Sequence, residues 1–152
     1  MAFSENPEPV GGDSNRKAYV APAGAPRFAS PSASVTRNGR DIILKLAGSP
    51  AADGMVLTLP SGAALAGVAV EGKNFSVSDS KRRLLISCFS PGCRDTTISL
   101  RQVEAKPFTL LLAELRYGLP PGGEKLLQAR GSLGVASQFG DGTELMTRIK
   151  ID

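Results

Sequence analysis

Residues 41–59, DIILKLAGSPAADGMVLTL, contain two short runs in which apolar and polar side chains alternate. The apolar members of each run share one face: Ile42, Leu44 and Leu46 in the first, and Met55, Leu57 and Leu59 in the second. Successive side chains of an extended chain point to opposite faces, so each run predicts a strand with one face against a core.

The same alternation continues along the rest of the chain. Further strands are predicted at Val68 and Val70, Phe75 and Val77, Leu84 and Ile86, Ile98 and Leu100, Leu110 and Leu112, and residues 145–151. Turn signals at residues 38–39, 52–54, 72–74 and 140–142 separate several of them. Only residues 124–130, EKLLQAR, have a helical pattern. The sequence therefore predicts an all-β, antiparallel β-sandwich of about 8–9 strands with one short helix.

A length of 152 residues fits a single domain with a hydrophobic core. Residues 1–34 are rich in Pro, Gly, Ala and Ser, and only residues 17–21, KAYVA, look like a strand. We therefore expect residues 1–34 to form an N-terminal strand and loop packed on the same domain, and residues 35–152 to form the sandwich.

The chain contains no histidine and only two cysteines. It therefore lacks the imidazole that serves as the commonest general base, activator of nucleophiles and metal ligand. Two Cys are too few for a zinc site built on thiolates. We expect no catalytic residue, no metal site and no cofactor in this chain.

Charge and hydropathy limit the partners. The net charge is +4, and the densest basic run, residues 81–83, has no interleaved aromatic residues, so no nucleic-acid partner is predicted. No stretch approaches the roughly 20 apolar residues of a membrane span. Residues 1–7 also lack the pattern of a signal peptide.

Three motifs that suggest chemistry have plainer interpretations. Gly12-Asp13-Ser14 resembles the nucleophile block of GDS-type lipases, but that serine needs a histidine, so we interpret it as a turn. Residues 118–125, GLPPGGEK, lack the Gly-Lys-Ser/Thr ending of a phosphate-binding loop. Six aspartates in or beside turns are interpreted as solvated turn residues: Asp13, Asp41, Asp53, Asp79, Asp95 and Asp141.

Cys88 and Cys93 flank residues 89–92, FSPG, between two strand-like runs. The Pro-Gly pair predicts a turn, and a hairpin there would place the two Cys opposite each other, within reach of a disulfide. We predict that bond; two free thiols or a two-ligand metal site are the alternatives. Persistent disulfides belong to oxidising compartments, so the pair favours an extracytoplasmic location.

The strand over residues 108–115 is the most apolar in the chain and is predicted to lie centrally, buried on both faces. It leads into Tyr117, Gly118, Leu119 and Pro120, which we interpret as a structural corner. Gly118 is expected to take positive φ, Leu119 to point into the core and Tyr117 to bury its ring. The alternative makes Tyr117 a surface contact for a ligand.

Three segments together resemble the C-terminal end of membrane-bound bacterial zinc exopeptidases, peptidase family M twenty-eight: residues 108–120 (FTLLLAELRYGLP), 126–130 (LLQAR) and 143–151 (TELMTRIKI). In that family an apolar strand runs into a Tyr/Asp-x-Gly-Leu-Pro corner, followed by a short helix and a closing strand. The Cys88–Cys93 segment and residues 6–19 are also similar to segments upstream of that corner.

The resemblance implies a terminal β domain that follows a zinc-binding catalytic domain and a set of transmembrane helices. The zinc ligands of the family match no position here, so zinc is expected only in the parent catalytic domain. The implied function is a non-catalytic accessory domain that packs on, or presents substrate to, that catalytic domain and the membrane region. It would be extracytoplasmic and anchored through preceding regions. The alternative is a free-standing extracytoplasmic module that binds protein or carbohydrate.

Overall fold

The computed structural model describes residues 4–10, 13–18, 28–77, 82–120, 123–125, 128 and 142–152. Its strands are β1 (Glu8–Val10), β2 (Asp13–Ala18), β3 (Ser32–Asn38), β4 (Asp41–Ala47), β5 (Gly54–Leu59), β6 (Leu65–Val70), β7 (Lys73–Phe75), β8 (Leu84–Cys88), β9 (Thr97–Gln102), β10 (Phe108–Tyr117) and β11 (Gly142–Ile151). Short 3-10 helices span Ser61–Ala63 and Pro91–Asp95. Within the predicted helix, Glu124, Lys125 and Gln128 are helical, and its remaining residues lie outside those described.

Two antiparallel sheets form the sandwich and confirm the predicted fold class. The five-stranded sheet has the order β3-β4-β9-β6-β7, and the four-stranded sheet has the order β11-β10-β5-β8. Strands β1 and β2 form a separate two-stranded sheet. Most connections leave one sheet for the other: β4 to β5, β5 to β6, β7 to β8, β8 to β9 and β9 to β10 all do so.

The core between the sheets is built by the predicted alternation. Strand β4 shows strict alternation of exposed and buried residues, and β9 shows it from Ile98 onward. Both sheets contribute fully buried aliphatic side chains: Ile42, Leu44, Ile98 and Leu100 from one, and Leu57, Leu59, Leu110 and Leu112 from the other. Each such side chain contributes roughly 1.5–3 kcal/mol when removed from water. This burial is the main force that holds the sheets together.

Two tight turns lie close to the predicted turn residues 38–39 and 72–74, although Asn38, Lys73 and Asn74 belong to strands. Gly39 joins β3 to β4 with a φ of 59°, and Gly72 joins β6 to β7 with a φ of 75°. Glu71 also has positive φ, at 48°. Turns of this kind suit the right-handed twist of a two-stranded hairpin, and glycine adopts them without steric cost.

Strand β3 extends across the start of the sandwich predicted at residue 35. Strand β3 begins at Ser32 and pairs with β4, so a division between residues 34 and 35 would cut through it. Strand β2 begins at Asp13, earlier than the predicted strand, and residues 19–21 lie outside those described. Asp13 and Ser14 are therefore strand residues, which corrects their interpretation as a turn.

Strand β10 lies inside the four-stranded sheet, between β11 and β5. Three consecutive residues near its middle, Leu112, Ala113 and Glu114, are buried. Consecutive residues face opposite sides of the sheet, so the middle of this strand is buried on both faces. The apolar pattern of β10 does not predict the buried carboxylate of Glu114.

Candidate functional site

The two side edges of the sandwich differ. At the β3–β11 edge, Arg37 of β3 donates hydrogen bonds to the main-chain oxygen of Asp152 at 2.8 Å and to Oε1 of Gln102 at 2.8 Å. The buried Gln102 in turn donates from Nε2 to the carbonyl oxygen of Ala63 at 2.8 Å. This edge is closed by a polar network that joins both sheets.

The opposite edge, formed by β7 and β8, opens into a cleft of about 500 Å³ between the sheets, called here the β7–β8 cleft. Its inner part is lined by core residues such as Leu46, Leu57 and Ile98. Its lining is apolar except at Ser76, Ser87 and Thr96, and none of the described residues that line it is ionisable. A volume of this size, mainly apolar with a few polar groups, is typical of a ligand-binding site.

Large apolar side chains stand exposed at the mouth of this cleft. Phe75 of β7 is 56% exposed and Leu85 of β8 is 57% exposed. Strand β8 has the sequence LLISC, with no charge, proline or glycine. Edge strands usually carry a charge, a proline or a bulge that prevents pairing with another chain. Strand β8 carries none of these, and among the described strands it pairs only with β5.

A disulfide between Cys88 and Cys93 fixes the end of β8, which confirms the predicted bond. The Cα atoms are 5.7 Å apart. The predicted hairpin, however, is wrong: β8 belongs to the four-stranded sheet and β9 to the five-stranded sheet. The chain turns through the 3-10 helix Pro91–Asp95, where Ser90 accepts a hydrogen bond from the amide of Gly92 at 3.1 Å. The bond therefore braces a crossing between the sheets.

A buried charged cluster lies at the end of β10. The Glu114 side chain is fully buried, and its Oε1 accepts from Nε of Arg116 at 2.6 Å and from Oγ of Ser49 at 2.6 Å. Its Oε2 accepts from the amide of Ser49 at 2.8 Å. Nη2 of Arg116 donates to Oγ of Ser49 at 2.9 Å, and the Arg116 guanidinium lies 4.3 Å from the centre of the Phe28 ring.

Burial opposes ionisation of Glu114, but hydrogen bonds from Ser49 and Arg116, together with the Arg116 charge, hold the pKa of this carboxyl below its usual value. The carboxylate is therefore ionised and its oxygens are occupied by Ser49 and Arg116. A general base needs a raised pKa and access to substrate. The cluster has neither, and its geometry is that of a structural tie between β10 and the loop after β4.

The loop of residues 48–53 is tied to its surroundings at further points. The amide of Asp53 donates to the carbonyl oxygen of Leu115 at 2.9 Å, and the amide of Tyr117 donates to Oδ2 of Asp53 at 2.7 Å. Nε of Arg94 donates to the carbonyl oxygen of Ala52 at 3.1 Å. The crossing from β4 to β5 is therefore held both to β10 and to the disulfide segment.

The corner after β10 has the backbone expected of it. Gly118 has a φ of 96°, and its carbonyl oxygen accepts from Oγ1 of Thr143 at 2.9 Å. Leu119 and Pro120 are half-buried. The expectation that Tyr117 buries its ring is wrong, since this residue is 73% exposed. Strand alternation turns Tyr117 to the outer face of the sheet and gives the inner position to Arg116.

The disulfide and the Glu114 cluster lie at the same end of the four-stranded sheet. Met55 of β5 is the register partner of both Glu114 on β10 and Cys88 on β8. Sequence patterning points to Cys88 but not to Glu114 or Ser49 as a residue of this end of the sheet. The available signal was an acidic residue at an inward position, two residues after Leu112 in an alternating strand.

No group of three or more His, Cys, Asp or Glu residues is placed to hold a metal ion within the described ranges. Of the six aspartates, Asp41 pairs with Arg101 at 3.5 Å on the surface, and Asp53 caps the amide of Tyr117. Asp79 and Asp141 lie outside the described residues. In the part of the chain that is described, no helix is long and apolar enough to cross a membrane.

No protein-family model, no curated protein and no solved structure matches this chain.

Proposed function

We propose that this chain is a non-catalytic accessory domain of a membrane-anchored, zinc-dependent exopeptidase, and that it works by binding a protein or peptide segment. The catalytic domain and membrane region of the parent protein are its proposed partners. The peptidase assignment rests on the resemblance of residues 108–120, 126–130 and 143–151 to the end of that family. Any zinc belongs to the parent catalytic domain.

The observation that carries the binding role is the β7–β8 cleft. None of its described lining residues is ionisable, and Phe75 and Leu85 stand exposed at its mouth. The buried carboxylate of Glu114 is occupied by Ser49 and Arg116. Such an arrangement supports recognition of an apolar group more readily than chemistry on it.

The extracytoplasmic location is supported by the Cys88–Cys93 bond, because disulfides persist mainly in oxidising compartments. A free-standing binding module would need the same compartment and the same cleft. The two candidates differ only in whether the domain is part of a larger membrane protein. A carbohydrate ligand is less well supported, since the chain has no Trp and only two Tyr to stack on sugar rings.

The decisive experiment is an immunoblot of fractionated source cells with an antibody raised against the folded domain. An accessory domain predicts a band far larger than 15.8 kDa in the membrane fraction, accessible from the extracytoplasmic side. A band at 15.8 kDa in a soluble extracytoplasmic fraction would instead establish the free-standing module. A cytoplasmic band of either size would contradict both candidates.

A further inference from the structure

Within the described strands, β8 is paired along one side only. It pairs with β5 from Met55–Cys88 to Leu59–Leu84, and no other described strand pairs with it. In an antiparallel strand alternate residues direct their N–H and C=O groups to the same side, so part of the β8 backbone points away from β5. These outward N–H and C=O groups are spaced so that the backbone of another extended polypeptide can pair with them.

The β7–β8 cleft lies directly beside this row. The inward side chains of β8 (Leu84, Ile86 and Cys88) line the cleft on one side, and Phe75 and Val77 line it on the other. A cavity of about 150 Å³ accommodates benzene, so 500 Å³ accommodates roughly three groups of that size. A strand paired with the five residues of β8 would direct two or three alternate side chains to one face. The cleft therefore has room for the two or three side chains that an added strand would direct into it.

We propose that the β8 edge binds an extended peptide segment as an added strand, with apolar side chains at alternate positions seated in the β7–β8 cleft. The inference deepens the proposed function and rests on its binding role, since it names the class of segment that the domain would hold. Main-chain hydrogen bonds to β8 supply affinity that does not depend on sequence, and the cleft selects the alternate side chains.

Other occupants fit less well. An acyl chain would fill the apolar cleft but would leave the outward N–H and C=O groups of β8 bound to water, so the edge of the strand would take no part in binding. A second copy of the chain, paired through its own β8, already has Leu84, Ile86 and Cys88 against its own core. Those side chains are not free to enter the neighbouring cleft. Of these three occupants, only a separate extended segment both fills the cleft and pairs with the edge of β8.

The test uses fluorescence anisotropy with a labelled ten-residue peptide that alternates Leu or Val with Ser. Two control peptides keep its composition: one in shuffled order, and one N-methylated at alternate backbone nitrogens. The proposal expects the alternating peptide to bind and both controls to bind at least about tenfold more weakly. Amide hydrogen exchange should slow at alternate residues of Leu84–Cys88 when the alternating peptide is bound.

Protein variants test the cleft itself. Phe75→Ser should weaken binding of the alternating peptide at least about tenfold. Ile43→Ser, a matched exposed apolar site on the outer face of β4, should leave binding unchanged. Should Phe75→Ser fail to fold, the N-methylated peptide gives the same answer with the unaltered protein.

Three results would overturn the proposal: no binding of the alternating peptide, equal binding of all peptides, or displacement of the peptide by decanoate without protection of β8 amides. The last would assign the cleft to apolar small molecules. Peptide binding by a free 15.8 kDa protein would retain this inference and reject the peptidase context. A large membrane protein whose domain binds no peptide would retain the peptidase context and reject this inference.

Discussion

Replacement of Glu114 by Ala removes the carboxylate at the centre of the buried cluster. The side chain accepts two hydrogen bonds from Ser49 and one from Arg116, and it is fully shielded from water. Its loss leaves the Arg116 side chain, only 12% exposed, without its countercharge. Removal of one partner from a buried ion pair costs about 3–5 kcal/mol. Because small domains have total stabilities of roughly 5–15 kcal/mol, this variant should be severely destabilised.

The cluster should also impose a pH dependence. The pKa of Glu114 is lowered in the folded protein, so the folded state holds this proton less tightly than the unfolded chain does. The stabilisation is complete above the unfolded pKa of about 4.3 and is lost as pH falls through the lower folded pKa. Wild type should therefore lose stability in this acid range, and Glu114→Ala should lose less.

Urea denaturation with the disulfide intact measures both effects, provided that the slope m is unchanged between variants. Glu144→Ala on β11 is the matched control, because Glu144 is exposed; its stability should stay within about 0.5 kcal/mol of wild type. Replacement of both Glu114 and Arg116 by Leu should recover much of the loss, since an apolar pair needs no charge compensation. A cost for Glu114→Ala as small as that of the control would refute the structural role of the cluster.

Thiol titration of the unreduced, denatured protein should find no free thiol, and two reactive thiols would contradict the Cys88–Cys93 bond. Reduction of the bond should cost only about 2 kcal/mol in urea melts, because it closes a short loop. Gly118→Ala should destabilise by about 1–2 kcal/mol, because its φ of 96° is strained for any residue with a Cβ. Gly62→Ala, where a Cβ meets open space and φ is not positive, is the control and should not destabilise; equal effects would show that φ is not the cause. The purified chain should hydrolyse no aminoacyl substrate and retain no stoichiometric zinc after dialysis, whereas one equivalent of zinc with chelator-sensitive activity would contradict a non-catalytic role.

Strands that lie inside a sheet could be predicted from the sequence, because burial of one face imposes strict alternation. Strand β4 shows this most clearly, with Ile42, Leu44 and Leu46 buried. Strand β3 is an edge strand with small, mostly exposed side chains, so its first residues gave no periodic signal. Residues 32–34 therefore looked like the preceding loop.

The periodicity of the sequence does not show which sheet a strand belongs to. Alternation around Leu84 and Ile98 marks two strands but does not tell whether they share a sheet, so the Cys88–Cys93 segment could be taken for a hairpin. The β7–β8 cleft exists because these strands lie at corresponding edges of different sheets. Such a site depends on the arrangement of the whole chain, and only Phe75 and Leu85 mark it locally.

The repeated crossing of the chain between sheets has a consequence for folding during synthesis. Strand β5 is internal to its sheet, yet its neighbour β10 begins about 50 residues later in the chain. At 5–20 residues per second, a ribosome needs roughly 2.5–10 seconds to deliver that neighbour. During this interval the apolar run of Gly54–Leu59 lacks β10, one of its two native neighbours, and is prone to aggregate. A holding chaperone that binds this segment until Phe108–Tyr117 has emerged should therefore raise the yield of folded protein.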